Sequence, residues 1–184
     1  MRVVKAAVSV AVLGNLLLGG ASAFAAATPS TPVGGSVRAF VTPANGGGGK
    51  IVIAGAIGDY GKTVNINKNG TADPNGNYAK VTLQKGTFEV NKTALNTKMN
   101  NAQPMVNNLN TCSAVISGTA PVTVLDGTGR YTGITGTVNV TVTEAFVLPF
   151  YTSGKHKGQC NEGNSGQPVA FFESVIGTGT VSFS

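Results

Sequence analysis

From Val138 to Thr143 apolar and polar residues alternate without a break: Val138, Val140 and Val142 against Asn139, Thr141 and Thr143. A period of two marks a half-buried strand, and the β-branched density with Gly133 and Gly136 just upstream excludes a helix. The same period runs through residues 79–84, with Val81 and Leu83 inward and Lys80, Thr82 and Gln84 outward. It resumes with shifted parity at Phe88 and Val90, so a bulge or tight hairpin is expected at Lys85-Gly86. Further strands are predicted at 36–42, 50–57, 63–67 (Val64 and Ile66 on one face), 113–117, 122–125, 169–172 and 175–183. The central strand is expected to continue through 145–148. Gly58-Asp59-Tyr60-Gly61 and Asp126-Gly127-Thr128-Gly129 read as tight turns. One segment breaks the pattern: residues 91–111 lack glycine and space Ala94, Leu95 and Met99 as a helix does. It predicts a short helix over 93–99 followed by a loop to Cys112, together forming a lid or strap.

Eight or nine short strands with no room for crossover helices predict an all-β fold, either an antiparallel eight-stranded barrel or a β-sandwich. Gly127-Thr128-Gly129-Arg130-Tyr131 followed by Gly133-Ile134-Thr135-Gly136 resembles the Gly-Thr-Gly-x-aromatic…Gly element of allene oxide cyclase-like and dirigent-like barrels. The glycine-rich closing segment 177–183 fits the same pattern. The resemblance implies an eight-stranded antiparallel barrel with a central cavity. It rests on glycines and one aromatic position, so it transfers no catalytic residue.

The N-terminus carries a different signal. Arg2 and Lys5 precede an apolar run over 6–18, and Ala21-Ser22-Ala23 or Ala23-Phe24-Ala25 offers a small-residue cleavage site. Residues 1–27 therefore read as a bacterial export signal, with an apolar run too short and alanine-rich for a comfortable membrane span. Residues 28–35 follow as a Pro/Gly/Ser/Thr tether, and 36–184 as a single domain. The expected mature protein is secreted, with no membrane span left after signal removal. Without Arg2 and Lys5 the formal charge falls from +6 to +4. The remaining lysines are scattered, which argues against a nucleic-acid surface and leaves a mild preference for anionic envelope polymers. Cys112 and Cys160 are the two cysteines; in an exported chain they are expected to form a disulfide.

Candidate chemistry is sparse. His156 is the single histidine, set between Lys155 and Lys157 in a polar loop, and with paired cysteines it makes no zinc set. Asp73, Asn75 and Asn77 miss the calcium-loop pattern and read as a turn. No cofactor motif is present. Missing tryptophan weakens a sugar-binding face, although Tyr60, Tyr78, Tyr131 and Tyr151 remain. Strand parity places Glu144 on the inward side with Val138, Val140 and Val142, and Tyr131 lies beside the same strand; these two are the candidate ligand-binding residues. The sequence thus points to a non-catalytic exported protein that either binds a small apolar ligand or serves the cell envelope. The alternative is a cofactor-free cyclase or dirigent-type enzyme, whose acid/base groups would face the cavity.

Overall fold

A computed structural model describes residues 32–184 apart from 45–46, 103–105, 107 and 164–166. The leader expected at 1–27 and the start of the tether lie outside the described residues; residues 32–34 are irregular. Eight strands and one helix follow: β1 (Gly35–Pro43), β2 (Gly48–Gly55), β3 (Asp59–Ile66), β4 (Tyr78–Leu83), β5 (Gly86–Asn91), α1 (Thr93–Asn100), β6 (Ser113–Gly129), β7 (Ile134–Val147) and β8 (Ala170–Phe183). Each strand pairs antiparallel with the next, and β8 pairs back onto β1 to close a barrel. Closure decides against the sandwich.

The alternating runs supply the interior. Val37, Ile51, Ile53, Val81, Leu83, Phe88, Val124, Val138 and Val181 form one buried cluster. Leu83 pairs with Gly86 across a two-residue Gln84-Lys85 turn, so the parity shift expected there is a tight hairpin. In β3, Val64 and Ile66 do share a parity, but Val64 stands on the outer surface while Thr63 and Asn65 turn inward.

Three local expectations change. Gly118-Thr119-Ala120-Pro121 does not interrupt β6, which runs unbroken for 17 residues. The β5 ladder ends at Thr123, leaving Pro121 where the strand is paired only with β7, so its missing N–H is tolerated. The 169–172 and 175–183 strands are likewise one element. Asp126-Gly127 is a bulge rather than a turn: register shifts between Thr87 and Glu89, Asp126 has φ 55°, and the chain reverses later, at residues 130–133. Gly127 is required there, because a Cβ would lie 1.7 Å from the Tyr131 carbonyl oxygen.

Residues 113–122 of β6 and 170–174 of β8 pair, among the strands, only with β7, so these three strands extend past the barrel wall. The inner face of this extension carries Ala114 and Phe146, packed with Val106, Cys112 and Leu148. The Cys112–Cys160 disulfide ties the segment before β6 to the loop before β8. It is compatible with an oxidising, extracellular environment. Because the bond closes a loop with a sequence separation of 48 residues, replacing both cysteines with serine should cost about 4 kcal/mol by the chain-entropy relation. Urea unfolding should show the lowered midpoint while the far-ultraviolet spectrum stays that of a β-barrel. An unchanged midpoint would show that the bond constrains nothing.

Candidate functional site

The extension marks the open end of the barrel. α1 lies in this mouth against β6: Leu95 is buried between Ala120, Val122 and Val142. The fit depends on small residues, since a Cβ on Gly118 would meet Met99 Sδ at 2.7 Å. Asn91 starts the helix by accepting hydrogen bonds from the Thr93 N–H (3.0 Å) and hydroxyl (2.7 Å).

Beside α1 a cavity of about 330 Å³ enters the barrel, with walls from all eight strands. That volume sits at the low end for small-molecule sites. Val41, Val90, Val122, Val140, Val142 and Val175 make its wall; Thr63, Asn65, Lys92, Asn96 and Glu173 supply the polar groups. A second, wholly apolar space of about 90 Å³ adjoins it deeper in, sharing Val90, Val122 and Val140. The two spaces share this valine wall, the deeper one apolar throughout and the outer one carrying the polar groups.

The register of β7 on β8 explains the mouth. Along the inward face the cross-strand rows are Val138–Gly179, Val140–Gly177, Val142–Val175, Glu144–Glu173 and Phe146–Phe171. One carboxylate pair is thus set into an otherwise apolar ladder, with like charges directly opposite, an arrangement that destabilises a sheet. Burial pushes Glu144 above its ordinary carboxylate range. Burial, then the charge of Glu144, pushes Glu173 up, with Lys92 opposing. Burial pushes the Lys92 ammonium down, while Asp73 and Glu173 pull it back. Lys92 Nζ donates to Asn96 Oδ1 at 3.2 Å. Among the described residues neither glutamate side chain has a hydrogen bond or a close ion pair.

Of the two residues singled out from sequence, Glu144 therefore belongs to the rim of this mouth and Tyr131 does not. Tyr131 precedes β7, and Glu144 lies ten residues along that strand from Ile134. At the rise of an extended chain this separates them by roughly 33 Å. Tyr131 forms the floor: it is 1% exposed, edge-on to Phe88 with ring centroids 5.7 Å apart, and its hydroxyl donates to Asp59 Oδ2 at 2.5 Å. Asp59 is not a turn residue but the buried first residue of β3; it also accepts the N–H groups of Tyr60 (2.8 Å) and Lys85 (3.1 Å). Burial opposes its charge, yet these three donors and the Lys85 charge hold Asp59 below its ordinary value of 3.8. Burial and Asp59 together push the Tyr131 hydroxyl up. The pair is a structural clasp.

Sequence reading missed Asp59, Lys92 and Glu173. Glu173 follows Phe171-Phe172 on a strand with no clean alternation, so only the register with Glu144 reveals it. His156 sits in an exposed loop, with Nδ1 2.8 Å from Gln159 Oε1, and Asp73 accepts the Asn75 N–H at 2.9 Å as a turn residue does.

Tyr131→Phe should destabilise the barrel by about 1–3 kcal/mol, because a buried carboxylate loses a donor. Asp59 is depressed in the folded state, so its stabilisation is complete above its unfolded value and lost as pH falls through the folded one. Removing the Tyr131 hydroxyl raises the folded value, and acid unfolding of the variant should begin at higher pH. Circular dichroism across an acid titration reads both effects; coincident curves for wild type and variant would exclude the clasp.

Compared with known proteins, this chain matches no family model, no curated protein and no solved structure.

Proposed function

We propose that this protein is a secreted, non-catalytic barrel that binds a small apolar ligand in the channel at its open end. The observation that carries the reading is the valine-walled cavity of about 330 Å³, which side chains leave unfilled although an eight-stranded barrel is narrow enough to be packed solid. The outer surface of the long strands supports a water-soluble protein. There Thr119 pairs with Thr141 and Ser117 with Thr143 through their hydroxyls, at 2.8 and 2.9 Å, with Asn139, Thr178 and Thr180 beside them. That hydroxyl-rich face is unlike a lipid-facing one, whereas Ile176, Phe40, Val52 and Tyr60 form an exposed row across β8, β1, β2 and β3. The resemblance of the Gly127–Gly136 segment to allene oxide cyclase-like and dirigent-like barrels agrees with a central cavity. The two half-buried glutamates favour a second reading, cofactor-free acid/base catalysis on a cavity-bound molecule.

Native mass spectrometry of protein purified from its own source should find a co-purifying small molecule. Val175→Trp, which fills the mouth from β8, should lose it while remaining folded. Wild-type protein that is ligand-free and fails to bind small apolar molecules would contradict the reading. Conversion of the recovered ligand by fresh protein would assign the catalytic one.

A further inference from the structure

The Glu144–Glu173 row raises a question that an apolar ligand alone leaves unanswered, since an apolar ligand needs no carboxylates. Two acids set directly opposite each other, with Val142–Val175 on the channel side and the buried Phe146 and exposed Phe171 on the other, work against burial of the row. A row of valines would pack better. The charge balance of the mouth is also one-sided. Glu173 lines it from β8, Glu144 stands opposite Glu173 on β7, and Asp73 of the β3–β4 loop acts on Lys92 from outside the cavity. Among the described residues Lys92 is the cation that acts on this row, and it is shared between Asp73 and Glu173. Lys98 of α1 lays its stem over Gly118, one row further into the barrel than Glu144, without pairing to either glutamate among the described residues. The mouth of a protein with a positive overall charge is therefore locally acidic.

We propose that the channel takes an apolar molecule with a protonated amine head, its chain lying against the valines and its ammonium held between Glu144 and Glu173. This rests on the binding reading above and names the ligand class for that site. The geometry suits the division: the apolar space lies inward, the carboxylates lie where the channel meets water, and the ammonium supplies the donors both carboxylates lack. Charge-assisted hydrogen bonds to two carboxylates favour the amine over a neutral head of the same size. As pH falls the pair takes up protons at values above the ordinary 4.5, so amine binding weakens before an unperturbed carboxylate would titrate.

The test is calorimetric titration of the mature protein with octylamine, octanol and octanoate at neutral pH. Octylamine should bind roughly tenfold or more tightly than octanol, the ratio expected from about 1.4 kcal/mol or more of charge-assisted bonding. Glu144→Gln with Glu173→Gln should remove that preference, with an unchanged far-ultraviolet spectrum and urea midpoint showing that the variant is folded. Equal binding of all three probes overturns the amine assignment and leaves the apolar channel standing. Tighter binding of octanoate overturns it in favour of Lys92 as the anchor. Binding of none of the three overturns both the amine assignment and the binding reading.

Discussion

The ladder between β1 and β8, from Gly35–Val181 to Val41–Val175, is the interaction on which everything else depends. It turns a meander of hairpins into a container. Sequential neighbours pair antiparallel, some through tight turns and others through the α1 segment or the loop before β8, but the first and last strands meet only after the whole chain is in place, so closure is the longest-range contact in the fold. Closure removes the two sheet edges and gives every inward side chain a common interior. It also separates the two ends: one sealed by Ile57, Leu83, Phe88 and the Asp59–Tyr131 clasp, the other entered beside α1.

The asymmetry of the strands makes those ends different. β6, β7 and β8 outrun the others, and their excess length forms a three-stranded extension held by Phe146, Leu148 and the Cys112–Cys160 bond. The carboxylate row sits where barrel becomes extension. Inward of it the ladder is valine and glycine; beyond it the ladder is phenylalanine. A polar row between two apolar ones marks a functional position more strongly than either glutamate would alone.

Local signals in the sequence were sufficient for much of this. Alternation located the inward faces of Val81–Leu83 and Val138–Val142, helix spacing located α1, and an isolated cysteine pair located the disulfide. Glu144 was readable because its strand alternates cleanly. Glu173 was not, because its inward aim is fixed by pairing with a strand elsewhere in the chain. Asp59 resembled a turn residue since its stabilising donor, Tyr131, is 72 residues away. Pro121 resembled a strand break because nothing local reveals that one neighbour, β5, has already ended. β3 kept its period but presents Val64 to solvent and Thr63 and Asn65 to the cavity, a choice made by the barrel and not by the segment. Each miss is a case of tertiary pairing deciding what local pattern left open.

The β7–β8 register sets Glu144 and Glu173 side by side, half-buried, at the rim of the channel. Carbon-detected magnetic resonance of the two side-chain carboxyls across a pH titration tests it most directly. Both should titrate above the ordinary value of 4.5. Their curves should be coupled, so that Glu144→Gln lowers the midpoint of Glu173. Two independent titrations at ordinary values, unaffected by substitution of the partner, would contradict the placement and the ligand site built on it.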